Sequence, residues 1–398
     1  MTFDHAEKPG LAPGDTGKPR LLYMHIPFCE QLCPYCSFHR VVFDEPTCRR
    51  YFRALRKEMI LYKNRGYTFG GVYVGGGTPT VLMDELEETV LLARQSFPLR
   101  EISIETNPNH LTDKNMAVLK KMSVNRLSVG VQSFDDGLLK QMDRYEKYGS
   151  GDAVAERLKQ ALGCFDTLNA DMMFNFPSQA MPVLDRDLDI LLNIGVDQIT
   201  YYPLMVSDST RDAVSGTFGQ VVYGKEESFY HRIVKRIVPP YRFSSAWCFS
   251  KKTAMIDEYI VDYDEYAGLG SGSIGYVNGV CYANTFNISE YMEQIERGEL
   301  PVMAFRDFSL RDRLRYEFLM KLFGMKLDIF ALREKYGGII YRILWPHILA
   351  FSLAGGLRYD NPCFYLTKRG CYMWVIMMRE FFIAVNNFRD FCRGRIPS

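Results

Sequence analysis

Six short apolar runs mark the first half of the chain: Arg20–His25, Phe69–Val74, Glu101–Glu105, Arg126–Gln132, Asn169–Phe174 and Asp197–Tyr202. Each has the length of a strand. Polar amphipathic segments of helix length lie between them, among them Thr47–Arg65, Met83–Ser96, Thr112–Lys121 and Gly151–Phe165. Parallel strands need a crossover, usually a helix, so this alternation predicts parallel pairing in an α/β fold. Six such units suit a partial (β/α)6 barrel, open on one side; the runs are too short for periodicity to separate barrel from open sheet. Chemistry in such folds sits at the C-terminal ends of the strands. A cysteine-rich loop follows the first run, and Gly75-Gly76-Gly77-Thr78-Pro79 follows the second. Glu105 ends the third, Gln132 ends the fourth and Asp171 lies on the fifth. All these candidates fall on one face.

The cysteine-rich loop reads His25-Ile-Pro-Phe-Cys-Glu-Gln-Leu-Cys-Pro-Tyr-Cys-Ser-Phe and holds Cys29, Cys33 and Cys36. Three thiolates in a CxxxCxxC spacing can bind three irons of a [4Fe–4S] cube and leave the fourth open to another ligand. The competing reading is three buried structural cysteines. The other seven cysteines are scattered without paired spacing, which predicts a reducing, cytoplasmic setting and no disulfide framework. Lysine plus arginine (48) balances aspartate plus glutamate (47), so no nucleic-acid partner is expected. The first residues carry no apolar leader. The most apolar stretch, Tyr372–Val385, is interrupted by Arg379 and Glu380 and is short for a membrane span.

Residues 1–19, rich in proline and glycine, read as a flexible tail. Residues 20–215 hold the barrel, and 216–300 extend it with the glycine-rich loop Gly268–Gly275. Phe229–Val238 reads as helix; Phe243–Ser250 and Tyr259–Val261 read as strands. Residues 301–398 form a smaller α+β, winged-helix-like region that covers the substrate. There Asp307–Leu332 reads as one amphipathic helical region and Leu357–Gly370 as a wing.

Together, Tyr23-Met-His-Ile-Pro-Phe-Cys29, Gly75–Pro79, Glu105-Thr-Asn-Pro108, Gly130-Val-Gln-Ser-Phe134 and Gly268-Leu-Gly-Ser-Gly272 resemble the oxygen-independent coproporphyrinogen oxidase family of radical S-adenosylmethionine (SAM) enzymes. The likeness runs from about Tyr23 to Ile274. It implies a radical SAM barrel and a [4Fe–4S] cluster on Cys29, Cys33 and Cys36. It also implies two SAM molecules side by side and an electron donor such as flavodoxin or ferredoxin. Tyr23, Gly76 and Glu105 would hold the first SAM. Gly77, Thr78, Gln132, Arg144 and Asp171 would hold the second or the contacts between the two. Tyr35 offers a stacking surface and Ile274 a further contact. Read from the residues alone, Glu105 and Asp171 could instead make strand-end salt bridges or helix caps, Gln132 could satisfy a strand end, and Arg144 could be a surface helix charge. His25 is expected to pack inside.

The family joins porphyrinogen dehydrogenases, haem chaperones, haem-opening enzymes and class C methyltransferases. Little sequence precedes Tyr23, whereas the dehydrogenases carry a longer N-terminal arm. Phe38 stands where they carry an additional cysteine. The stretch Ser244-Ser-Ala-Trp-Cys-Phe-Ser-Lys-Lys lacks the histidine of the chaperones, and Cys248 is the only substitute ligand there. The expectation is therefore a monomeric class C methyltransferase acting on a planar lipophilic acceptor. Menaquinone, methylated at C8, fits best, with peripheral membrane contact during substrate capture. The methionine- and aromatic-rich run Tyr372–Ile383 would cover this acceptor, although it also reads as an ordinary buried helix. The alternatives are a haem- or porphyrin-acting enzyme (a coproporphyrinogen dehydrogenase or a ring-opening methyltransferase) and a haem chaperone.

Overall fold

The computed structural model describes residues 20–252 and 263–394. The tail 1–19 and the strand expected at Tyr259–Val261 lie outside the described residues.

All six expected strands form: β1 (Leu21–Ile26), β2 (Gly71–Gly76), β3 (Glu101–Thr106), β4 (Arg126–Gln132), β5 (Thr167–Phe174) and β6 (Gln198–Pro203). They pair in parallel and in sequence order, each with its successor. This is the neighbour-to-neighbour winding of a (β/α) barrel. Crossover helices include Glu45–Asn64, Met83–Ser96, Asp113–Lys121, Gly151–Ala161 and Met181–Ile194. The first starts sharply because the Asp44 side chain caps the Thr47 amide and a proline occupies the first turn. Leu22, Met24, Val72, Val74, Ile104, Leu127, Val129, Leu168 and Ala170 are buried with the inner faces of these helices in one apolar core.

The sheet continues past both ends of this set. Strands β7 (Arg242–Phe243) and β8 (Cys248–Ser250) add antiparallel to β6. On the other side β9 (Tyr266–Leu269) runs parallel to β1, with Tyr23 opposite Gly268. Strands β10 (Ile274–Val277), β11 (Val280–Asn284) and β12 (Val302–Asp307) then add antiparallel. The parallel set therefore has seven strands, one more than the alternation predicts. The seventh was not legible because it arrives sixty residues after the sixth with no regular crossover pattern before it.

The region Asp307–Leu332 is not one helix. It divides into a helix Leu310–Phe323, strand β13 (Lys326–Asp328) and a helix Ile329–Tyr336. Gly324 and Met325, the latter at φ +73°, make the break. Strand β13 pairs with β15 (Cys363–Leu366), which pairs with β14 (Leu357–Asp360) as the expected hairpin. The last described helix, Lys368–Arg393, is capped by the Thr367 hydroxyl on the Gly370 amide. Among the described residues no helix is long and apolar enough to cross a membrane.

Candidate active site

A cavity of ≈ 280 Å³ opens at the C-terminal ends of β1–β6. Its lining includes Tyr23, Cys29, Cys33, Tyr35, Cys36, Gly76, Gly77, Thr78, Glu105, Gln132, Arg144 and Asp171. Twelve of the thirteen residues singled out from the sequence thus meet in one place. The exception is Ile274. It sits at the start of β10 and packs against Ala283, Phe286 and Cys392, because the antiparallel turn into β11 carries it away from the cavity.

The cysteine loop is held at both ends. Phe28–Cys29 pairs in parallel with Val41–Val42. The Arg40 guanidinium donates to the carbonyls of Cys33 and Cys36, both at 2.7 Å. Glu30 accepts from Lys147 (2.8 Å), Asn109 (3.1 Å) and His110 (3.1 Å). The amides of Gly77 and Thr78 donate to the carbonyls of Ile26 and Phe28, docking the glycine turn on the loop. A Cβ at Gly77 would stand 2.9 Å from the Cys29 sulfur, and one at Gly75 2.8 Å from the Glu105 carboxyl. At Gly77, where the Phe28 carbonyl is also only 2.7 Å away, close approach excludes a larger residue; at Gly75 a side chain would displace the Glu105 carboxyl.

Burial pushes the Cys29 thiol up to about 12, helped by the neighbouring Cys36 and Cys33. It also raises Cys36. Gathered thiolates in such a floor call for a compensating cation. Thr78 donates to the Cys29 sulfur and Arg144 to the Cys33 sulfur, each at 3.7 Å. Among the described residues, no three His, Cys, Asp or Glu side chains converge on a single ion. Three soft donors spread along one loop suit a cube better than one ion.

Glu105 accepts from the Tyr73 hydroxyl (2.8 Å) and the Gly76 amide (3.0 Å). Asp171 accepts from Ser128 (2.6 Å) and Asn169 (2.8 Å). Burial raises both carboxyls, and the charge of Asp171 raises Glu105 further. Among the described residues neither makes a strand-end salt bridge. Gln132 sits at φ +73° where the β4–β5 register shifts, which turns its side chain toward the cavity. Arg144 is no surface charge: it is buried, donates to Asn107 (3.1 Å) and Gly130, and lies over the Tyr148 ring. Its Nε is buried with no hydrogen-bond partner among the described residues.

His25 is buried, as its sequence position predicts. Its Nε2 faces the His39 carbonyl at 2.8 Å, so Nε2 carries the hydrogen. Nδ1 therefore accepts from the Tyr23 hydroxyl at 2.9 Å. Burial pushes the imidazole down to about 4, keeping it neutral.

The outer wall was not foreseen. Met173, Tyr202, Met205, Trp247 and Phe382 make it apolar, while Arg40, Asn386 and Arg389 are its polar members. Arg389 donates to Asn386 (2.7 Å) and its guanidinium lies over Phe38. Trp247 faces the cavity from just before β8, whereas Cys248, the first residue of that strand, is buried away from it and accepts from Thr200. Strand alternation thus removes Cys248 as a ligand toward the cavity.

The sequence pattern of the radical SAM superfamily matches residues 23–179. The haem chaperone HemW of Bacillus subtilis (strain 168) is 28% identical, covering 87% of this chain and 95% of its own. HemW of Mycobacterium tuberculosis (strain ATCC 25618 / H37Rv) is 30% identical, covering 77% and 82%. In fold, the chain resembles the coproporphyrinogen III oxidase (HemN) of Escherichia coli, described as a radical SAM enzyme: TM-score 0.79 at 18% identity, over 95% of this chain and 94% of that one. These relatives overturn the expected menaquinone methyltransferase: they are named for haem and coproporphyrinogen. The structure shows why the expectation failed. The run Tyr372–Ile383 sends Trp374, Val375 and Met378 into the core and, of its twelve residues, gives the cavity wall only Phe382. Besides Arg144, two further guanidiniums, Arg40 and Arg389, line the cavity, and the overall charge balance hides them.

Proposed function

We propose that this chain, which belongs to the radical SAM superfamily and within it to the oxygen-independent coproporphyrinogen III oxidase-like family, takes a haem- or porphyrin-class tetrapyrrole into its cavity and acts on it by radical chemistry. The family's [4Fe–4S] cluster and SAM, when bound, supply a one-electron cleavage that delivers a carbon radical able to abstract hydrogen. An external one-electron donor is required. Cys29, Cys33 and Cys36 would hold the cluster. Tyr23, the Gly76 backbone and Glu105 would hold the first SAM, and Gly77, Thr78, Gln132, Asp171 and Arg144 a second or the contacts between two.

This chain's own residues orient and seal. Tyr23 donates its hydroxyl hydrogen bond to His25, so its oxygen faces ligand as an acceptor. Glu105 is fixed by Tyr73 and Gly76 and presents carboxylate character to a cationic group. Phe382 and Trp247 limit water over the thiols. The observation that carries the substrate class is the pairing of an apolar wall with Arg40 and Arg389. A tetrapyrrole is a flat apolar ring with carboxylates at its edge, and guanidiniums bind carboxylates bidentately.

The test is anaerobic turnover of the reconstituted protein with SAM, a reductant and either coproporphyrinogen III or haemin. Formation of 5'-deoxyadenosine and the mass of the tetrapyrrole are read together. Tetrapyrrole-dependent cleavage with a changed tetrapyrrole mass supports the reading; no tetrapyrrole binding rejects it. The second reading is a haem chaperone, favoured by the HemW relatives that span most of this chain. Tight stoichiometric haemin binding without product would select it. Against it, the lining of the cavity includes no histidine among the described residues.

A further inference from the structure

The helix Ile339–Leu353 is apolar on two faces. Ile340, Leu344 and Ile348 point into the core. One position on, Tyr341, Trp345, Leu349 and Leu353 are 43, 47, 52 and 81% exposed. The spacing of four aligns them in one stripe along the helix. The stripe continues onto the neighbouring hairpin: Tyr341 meets Trp345, Trp345 meets Phe364, and Phe364 meets the exposed Tyr359, with ring centroids 6.2, 6.4 and 4.9 Å apart. An outward face of this kind buries little within the chain and leaves a large apolar area open.

Charge narrows the occupant. From Lys335 to Tyr359 the sequence has no aspartate or glutamate. Arg342 is exposed on the helix beside Tyr341, and Arg358 is exposed on the hairpin, with Asp360 at 3.5 Å. Size narrows it further. Fifteen residues make a helix about 22 Å long and about 10 Å wide, an area on the order of a few hundred Å². A stable protein dimer buries roughly 800 Å² on each partner. A bilayer needs no such area from one element, because an amphipathic helix with Trp, Tyr and Leu on one face and cations beside them settles into the headgroup boundary.

We propose that the helix Ile339–Leu353, together with Tyr359, is a docking face for an anionic lipid surface. This surface is independent of the cavity and of the substrate assigned to it. It also differs from the C-terminal run Tyr372–Ile383, whose apolar residues are largely committed to the core.

The chain carries its own reporter. Of its three tryptophans, Trp247 and Trp374 are fully buried and Trp345 is half exposed. Tryptophan emission of the full-length protein is followed as vesicles are added, either phosphatidylcholine alone or phosphatidylcholine with phosphatidylglycerol, and binding is read by co-sedimentation. The expected result is a blue shift and co-sedimentation with the anionic vesicles, lost in Trp345→Phe (shift) and cut about tenfold or more by Leu349→Glu/Leu353→Glu (binding), at unchanged SAM cleavage. Equal binding to neutral vesicles overturns the anionic assignment. A shift that follows protein concentration without lipid assigns the face to a second copy and overturns the proposal, as does the absence of any shift on anionic vesicles.

Discussion

The floor of the cavity comes from strand ends and one loop between Tyr23 and Asp171, whereas its outer wall draws on Tyr202, Trp247 and the far helix Lys368–Arg393. In the floor most polar side chains are tied. Glu105 is held by Tyr73 and Gly76, Asp171 by Ser128 and Asn169, Arg144 by Asn107 and Gly130, and Glu30 by three donors. The wall is mostly methionine and aromatic, with Arg389 steadied by Asn386 and Phe38. Bonded networks hold one geometry, while methionine and aromatic surfaces adapt to what they meet. The difference assigns reaction chemistry to the floor and substrate choice to the wall.

The largest effect should come from removing the floor's donors. Cys29→Ala/Cys33→Ala/Cys36→Ala should abolish iron incorporation and all 5'-deoxyadenosine formation, read by iron content after anaerobic reconstitution and by chromatography. A triple variant that keeps its cluster would falsify the assignment. Gly75→Ala comes next. The added methyl would meet the Glu105 carboxyl at 2.8 Å and drive it off Tyr73 and Gly76. Two lost bonds to a charged group predict SAM affinity lower by about 100-fold, with the cluster spectrum intact. Equal affinity in equilibrium dialysis would mean that Glu105 does not hold SAM.

The wall should respond the other way. Arg389→Met should weaken tetrapyrrole binding by roughly 10- to 100-fold, the range of one or two charge-assisted bonds, and leave basal SAM cleavage alone. If cleavage falls with binding, floor and wall are not separable. The same experiment with Arg40→Met is less clean, because Arg40 also holds the loop carbonyls of Cys33 and Cys36.

The two regions also differ in how far the sequence reveals them. Cys29, Gly77 and Glu105 announce themselves because each sits at or just past a strand end, and Asp171 because it lies within a strand, where local spacing decides which way a side chain points. Arg389 and Phe382 lie on a long helix whose cavity-facing side is set by where Trp374, Val375 and Met378 pack. No local pattern encodes that choice, so the helix read as a greasy lid for a quinone. Trp247 goes unnoticed in the sequence, and Cys248 stays open there as a substitute ligand, for a related reason: a shift of one residue in the extended backbone exchanges which of them faces ligand. Arg144 is intermediate. Its approximate place was legible, but its burial against Asn107 and Tyr148 depends on contacts from other parts of the barrel.

The smallest effect on turnover, and the one that probes what lies behind the floor, concerns Glu58. This residue of the helix Glu45–Asn64 is fully buried and accepts from the Gly270 amide (2.8 Å), the Tyr291 hydroxyl (2.7 Å) and Asn284 (3.0 Å). It ties the helix to the loop that brings β9 beside β1. Burial pushes its carboxyl up to about 7. In the unfolded chain the group ionises at about 4.3. Between these values the folded protein holds a proton that the unfolded chain has released, so stability falls as pH rises. The contribution is fully present below about 4.3 and is lost as pH passes through 7. Glu58→Gln keeps most of the hydrogen-bonding shape and cannot ionise. Relative to this variant, the native chain should therefore lose about 1–2 kcal/mol of unfolding free energy between pH 5 and 7, read from denaturant midpoints at each pH. Parallel midpoints across that window would show that Gly270, Tyr291 and Asn284 keep the carboxylate charged, and that the rear of the floor is as fully compensated as its front.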